Sequence, residues 1–426
     1  MRIVESSDAG TVASLLDRAP RRDVALERRV ARIVTTVRHG GDRALLTYAR
    51  RFDRLTQPID VPPEEMRDAA TAVTPDVREA IRVAAGHIAG VARRQLPRGW
   101  TTRPAPGITI EQRVTPLDRV GCYVPGGRYP LPSSLLMTAI PARVAGAREI
   151  IAACPRPDAT VCAAALEAGV TRLLRIGGAH AIAALAYGTE TIPKVDKIVG
   201  PGNAYVAAAK AFVAADCAID FFAGPSEILV LSTTGRPAWI AADLLAQAEH
   251  DEHARAVFVT PDRRLARQVA DEIARRMPED GPAAAALQRN GAIVVTRSLD
   301  EAVALSERMA PEHAVCDTPA VARRLRRAGT IFVGDYSAQA AGDYATGSNH
   351  VLPTSGAAAA RGGLSAADFV RVSTIQQLTR AGLKRIAPTA VALAEAEGLH
   401  GHAASIRLRQ TDAPSAPRTR DARGRA

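Results

Sequence analysis

Five short stretches of the chain hold residue types suited to chemistry rather than packing. "GDYATGSNH", residues 342 to 350, sets a carboxylate, two hydroxyls, an amide and an imidazole (Asp343, Thr346, Ser348, Asn349, His350) on a chain that glycine leaves free to turn. "LLAQAEHDEHA" spaces Gln247, His250 and His253 so that, on a helix, the first two are neighbours on one face. The residues alone pair His250 with His253 as metal ligands, or leave both on a solvated polar face. "APEHAV" puts Glu312 beside His313, after a proline at the end of a helical run. Adjacent side chains in an extended turn point in different directions, so this carboxylate and imidazole could address two sides of one substrate as base and water activator. The other reading is a surface turn. "EGLHGH" offers Glu397, His400 and His402, and Ser226 in "GPSE" reads as a helix cap or ligand contact, since no nucleophile elbow surrounds it.

Three further segments, "YVPGGRYP", "RIGGAH" and "VGPGN", place glycine after a short apolar run and before a helix-prone one. In open parallel sheets such turns lie beyond the strand ends, where the backbone can approach a phosphate. None is a complete G-x-G-x-x-G, so each is a nucleotide contact or a tight packing turn. Three in one unit carry more weight than one.

The elements that must position these residues follow from periodicity. Residues 1–118 read as a mainly helical lead-in packing on the second α/β unit; "LERRVARIVTTVRHGGDRALLTYARRF" has helical spacing broken at Gly40 and Gly41. Residues 119–225 alternate strands and helices and hold the glycine turns. Residues 226–372 repeat the alternation with strands "EILVLS", "ARAVFVT", "GAIVVT" and "GTIFVGDY". The expected fold class is therefore α/β, with two tandem, doubly wound, incomplete Rossmann-like parallel-sheet domains. Residues 373–409 read as a small helical segment that packs on another domain or subunit, and 410–426 as a disordered tail rich in Pro, Ser and Arg.

Composition narrows the partners. Among 426 residues, 47% are apolar, enough for two units of ordinary size. Net charge is +11 but only 4% of residues are aromatic, so there is no stacking platform for nucleic acid, and an anionic dinucleotide accounts equally well for the charge. Five scattered cysteines without C-x-x-C spacing indicate neither a disulfide framework nor a thiolate metal site. No signal-peptide pattern or membrane-spanning apolar run is present, so the expected location is cytoplasmic, with no membrane partner.

Taken together, "GCYVPGG", "IGGAHAIAALAYGTE", "VGPGNAYVAAAK", "FAGPSEILV", "LLAQAEHD", "APEHAV", "GDYATGSNHVLPT" and "AEGLHGH" resemble, in order and interval, the histidinol dehydrogenase family over about residues 25 to 408. The resemblance implies a zinc- and NAD-dependent oxidation of L-histidinol through L-histidinaldehyde to L-histidine, the last steps of histidine biosynthesis. It implies one Zn²⁺ per subunit held by Gln247, His250 and Asp343, with His402 supplied by the partner subunit of a homodimer whose active sites lie between subunits. The pairing of His250 with His253 gives way to this set. Glu312 and His313 become catalytic. Ser226, Gln247, His250, His313, Asp343, Glu397 and His402 become substrate contacts, with Tyr123, His180 and Asn203 as NAD contacts. His350 takes a supporting or substrate-contacting role.

The donor types suit that chemistry. One carboxylate, two imidazoles and an amide leave a Zn²⁺ site with roughly one net positive charge. Two positions depart from the family pattern: His180 stands where glutamine is expected, and Gln339 where glutamate is expected. The alternatives are a zinc- and NAD-dependent dehydrogenase of another small polar alcohol, or a non-catalytic NAD- or metal-binding relative, which would have no need of both Glu312 and His313.

Overall fold

The computed structural model describes residues 1–16, 23–126, 130–221 and 224–411. Residues 127–129 of the first glycine turn, and all of the expected tail beyond residue 411, lie outside these.

Two six-stranded sheets carry the α/β part. In the first, strands Arg119–Tyr123, Glu149–Ala153, Arg172–Leu174, Lys197–Val199 and Ala218–Ile219 are parallel. Numbered by sequence, these five lie in the order 3-2-1-4-5, and Asp60–Val61 joins antiparallel outside the third. In the second, Glu227–Leu231, Arg255–Thr260, Ala292–Val295, His313–Cys316 and Thr330–Val333 repeat the same order, all parallel, with Arg2–Glu5 added outside the third. Each chain therefore reverses its winding between strands one and four, the place where open α/β sheets form a crevice. Strand Glu227–Leu231 is buried at every position, as a central parallel strand covered on both faces requires.

The helices that cover the sheets follow their apolar spacing. In Arg263–Arg276, Leu265, Ala266, Val269 and Ile273 form the buried stripe, and the Asp262 carboxylate caps the amino end by accepting from Arg264 and Leu265 N–H. The lead-in helices differ from expectation in their destination. Val24–Tyr48, bent at Gly41, shares a core with Ile182 and Leu185 of the first α/β half, and Pro75–Gln95 packs with Leu135 and Ile140 of that half. Arg2–Glu5 and the short helix Ala9–Leu16 join the second, which Pro75–Gln95 also touches through His87 Nδ1, 2.6 Å from the Ala345 carbonyl oxygen. The break at Gly41 has a contact behind it: φ is +52° and a Cβ there would meet the Glu190 carboxylate, which accepts from Asp42 N–H.

The chain divides into two compact units, one of Met1–Leu96 with Pro116–Val370, the other of Pro97–Thr115 with Arg371–Ala426. Both tandem α/β halves fall in the first, and residues beyond 349 return to the first half, where Val351, Leu364 and Phe369 enter its core. The second unit corrects the expectation of helix at both of its ends. Trp100–Thr102, Ile108–Pro116 and Val370–Leu378 form a three-stranded sheet, followed by helices Arg380–Ala396 and His400–Thr411. These strands are largely exposed, so their apolar alternation is weak.

A close approach within the second unit fixes its helix. A Cβ at Gly382 would lie 2.1 Å from the Gly107 carbonyl oxygen, whereas one at Gly86, in Pro75–Gln95, would meet nothing within 4 Å among the described residues. Gly382→Ala is expected to destabilise the protein by about 1–3 kcal/mol. Gly86→Ala is expected to stabilise it by about 0.5–1 kcal/mol. Thermal unfolding midpoints of the two variants should move in opposite directions.

Candidate active site

Glu312 and His313 sit at the amino end of the fourth strand of the second sheet. Helix Leu299–Met309 ends in Ala310, held at φ +42°, and Pro311 then turns the chain into the strand. A non-glycine residue in the left-handed region costs energy and is held there by its surroundings. Strand His313–Cys316 pairs with the first strand in the register Ile228 to His313, which sets Glu227 beside both residues. The Glu227 N–H donates to Glu312 Oε2 at 2.7 Å, and the His313 ring places Nδ1 3.2 Å from the Glu227 carbonyl oxygen. A carbonyl only accepts, so Nδ1 carries the proton and Nε2 keeps its lone pair. His313 Nε2 is 3.9 Å from Asp343 Oδ1.

The two side chains do not diverge as an extended turn would have them. Glu312 Oε2 and His313 Nδ1 are 3.7 Å apart because one residue's backbone holds both. Burial pushes the Glu312 carboxyl well above its usual range, against the opposing pull of the Glu227 N–H. Burial also lowers the His313 imidazole to about 4, although Asp343 opposes this, so the ring is neutral at neutral pH. Glu227, central to this arrangement, went unnoticed in the sequence. Its signal was an acidic residue opening the otherwise apolar run "EILVL".

The expected metal donors of the first unit come from three places. Helix Pro237–Ala248 delivers Gln247, whose amide is fully buried and has no hydrogen-bond partner for either atom among the described residues. The helix stops at Ala248, so His250 and His253 do not share a helical face. His250 bears electrostatically on both His313 and His350, while the His253 N–H is taken by Asp251. Asp343 lies in the short helix Gln339–Tyr344, buried, with Oδ2 accepting from Gln339 Nε2 at 2.9 Å. Gly342 is required there because a Cβ would strike the Phe332 ring at 2.6 Å, and that ring also lies against His313. His350 Nδ1 donates to the Asp343 carbonyl at 2.9 Å, and its Nε2 lies 3.4 Å from Ser134 Oγ.

Among the described residues no three His, Cys, Asp or Glu side chains gather as a ready-made metal cluster. Of the expected set, the first unit supplies only one imidazole and one carboxylate of those types, beside the amide of Gln247. Ser226, half-buried, immediately precedes strand Glu227–Leu231. Glu397 and His402 belong to the second unit; Glu397 caps helix Arg380–Ala396, His402 lies in the first turn of the next helix, His400–Thr411, and both are exposed in the single chain.

The glycine turns meet beyond the carboxyl ends of the first sheet. A Cβ at Gly126 or at Gly177 would collide with Pro155, and one at Gly200 would lie 2.1 Å from the Tyr123 carbonyl oxygen. The turns are thus packed on one another. Tyr123 is buried with its hydroxyl accepting from Gly178 N–H, and burial pushes that phenol up to about 12. His180 is buried too; its Nε2 is 2.8 Å from Asp53, which also accepts from Gly177 N–H, and Tyr48 and Phe52 lie beside the ring. Asn203 caps helix Ala204–Val213 by accepting from Tyr205 and Val206 N–H, yet remains exposed. Asp53 carried no signal in the sequence, since its partners stand more than a hundred residues away.

A sequence model of the histidinol dehydrogenase family matches residues 16–410. A histidinol dehydrogenase of Methanothermobacter thermautotrophicus is 47% identical over 397 residues, covering 90% of this chain and 93% of that one. One of Geobacter sulfurreducens is 45% identical over 414 residues, covering 93% and 96%. The crystal structure of histidinol dehydrogenase from Elizabethkingia anophelis superposes with a TM-score of 0.90 at 33% identity, covering 96% of this chain and 98% of that one. With the paired parallel sheets and the buried Glu312–His313 pair, this extent of likeness shows that the chain belongs to the histidinol dehydrogenase family of oxidoreductases.

Proposed function

We propose that the chain oxidises L-histidinol by four electrons, through L-histidinaldehyde to L-histidine, with two NAD consumed per substrate. The observation that carries this reading is the fixed tautomer of His313: Nδ1 is tied to Glu227, so the basic Nε2 is the nitrogen that faces Asp343. A base held in that form can take the alcohol proton as hydride leaves the adjacent carbon. Glu312, on the other side of the same backbone residue, is placed to activate the water that adds to the aldehyde. The resulting gem-diol gives up its proton to His313 again as the second hydride leaves. NAD supplies the hydride acceptor in both steps, with Asn203 and the glycine turns in contact with it and Tyr123 and His180 supporting those turns from beneath.

The residues fit a metal. An amide buried with both atoms unpartnered costs stability unless something occupies it, and Gln247, His250 and Asp343 would together offer a nitrogen and oxygen donor set suited to Zn²⁺. His402 of the partner subunit completes the set in a homodimer. Zinc held by these residues would orient the amino alcohol, and its positive charge would favour the carboxylate form of Glu312. Ser226 and Glu397 hold the substrate, and a closed site retains the aldehyde between the two oxidations.

A different small polar alcohol would be favoured by Gln339, the departure nearest Asp343. Gln339 nevertheless makes a defined contact, since a carboxylate only accepts and the amide must turn its NH₂ toward Asp343. The deciding measurement is NADH formed per L-histidinol consumed by the zinc-loaded protein. Two NADH with histidine as product are expected; one NADH, or no turnover with zinc and NAD bound, would move the reading to another alcohol.

Two variants test the metal set. Gln247→Met removes the orphaned amide at similar volume, so the zinc-free protein should gain about 1–3 kcal/mol in unfolding free energy while losing zinc retention against a chelator. A zinc-free variant no more stable than the parent would count against an orphaned amide. His402→Ala mixed with His250→Ala, each inactive alone, should recover activity after subunit exchange. Verified exchange without recovery would speak for a site built within one chain.

A further inference from the structure

Beyond the residues that face substrate, one buried ion pair stands under a glycine turn. Lys210, on helix Ala204–Val213, and Asp220, just after strand Ala218–Ile219, are both buried and in direct contact. Together they hold the two polar backbone groups of one residue. Lys210 Nζ donates to the Gly200 carbonyl at 2.9 Å, and Asp220 Oδ2 accepts from the Gly200 N–H at 2.8 Å. Gly200 stands at φ +116° against the Tyr123 carbonyl, a position no other residue fits, and opens the turn Gly200-Pro201-Gly202-Asn203.

The same aspartate also meets the segment that returns to the first half after residue 349. Its Oδ1 accepts from Phe221 N–H at 2.6 Å, and its carbonyl accepts from Arg361, whose guanidinium lies 4.5 Å over the Phe221 ring and 3.6 Å from Asp368. Further along, the Gly224 N–H donates to Thr354, two residues before Ser226. Desolvating an ion pair is expensive, and apolar residues of like volume would pack as well. What the charges add is orientation, because only this pair presents a donor to the carbonyl and an acceptor to the N–H of the same glycine.

We propose that Lys210 and Asp220 are positioning residues for the dinucleotide: their pair sets the Gly200 to Asn203 turn. This rests on the reading of that turn as an NAD contact.

The test is steady-state kinetics of the zinc-loaded protein carrying Lys210→Met with Asp220→Asn, which removes both charges and leaves neither unpaired. KM for NAD should rise roughly tenfold, the effect of losing one charge-assisted hydrogen bond. KM for L-histidinol, kcat at saturating NAD and zinc content should stay within about twofold of the parent, a split that general loosening would not produce. An unchanged KM for NAD, or a joint loss of kcat and both KM values, overturns the proposal. If the double variant does not fold, Asp220→Asn alone, which keeps an acceptor beside Gly200, is judged by the same split. Asn203→Ala separates the two ideas. If it raises KM for NAD while the charge-pair variant does not, the turn binds NAD and the pair does not set it; if neither does, both readings fail.

Discussion

The candidate active site depends on the two backbone groups of a single residue, Glu227. Its N–H fixes Glu312 and its carbonyl fixes His313, so carboxyl and imidazole are referred to the same rigid strand end. That relation follows from the register of two parallel strands, in which Ile228 stands opposite His313. A slip of one residue would send His313 to the other face of the sheet. The register is secured by burial, since strand Glu227–Leu231 is covered on both faces and its partner strand has apolar residues in the same core. Core packing distant from the chemistry therefore sets the spacing of the reacting groups.

Burial also sets their charge. In the single chain, the low-dielectric surroundings favour a protonated Glu312 and a neutral His313, so the pair avoids an unpaired buried charge. The polar groups around it are left incompletely matched, with the Gln247 amide and Gln339 Oε1 lacking partners among the described residues. Such mismatches destabilise a fold, and one of them, at Gln339, lies directly against Asp343.

What was legible in the sequence was whatever recurs locally. Alternation of strands and helices announced both parallel sheets, and the pairing of glycine with the ends of apolar runs located the turns beyond the first. The shared 3-2-1-4-5 order was not legible, because strand order is decided by long-range pairing. Nor were the destinations of the lead-in helices, whose apolar stripes specify burial but not a partner. Strands Trp100–Thr102, Ile108–Pro116 and Val370–Leu378 escaped because a mostly exposed sheet needs little hydrophobic alternation. Helical spacing ran on past Ala248 in the reading of Gln247, His250 and His253, though the backbone leaves the helix there. Within the site, residue types were readable, while the convergence of Glu312 and His313 to 3.7 Å was not, since it requires Glu227 from 85 residues away.

On the proposed function the two sheets would use opposite ends, which accounts for the chain doubling back. Glycine turns crowd the carboxyl ends of the first sheet, as in other open α/β folds, whereas Glu312 and His313 stand at the amino end of a strand in the second. A hydride can pass only between groups that nearly touch, so some element must tie the surroundings of one end to those of the other. The segment after Asp343 does this in three contacts. His350 holds the Asp343 carbonyl with one ring nitrogen and approaches Ser134 with the other, and Asn349 donates to the Met137 carbonyl. Ser134 and Met137 belong to helix Pro132–Ala145, which begins just beyond the first glycine turn. Asp343, next to His313, is thereby anchored to the helix that follows that turn, and the anchor is itself buried where Val351, Leu364 and Phe369 join the core of the first half. Two similar folds that could each have turned freely are in this way held in one compact unit by a strap whose first residues belong to the site.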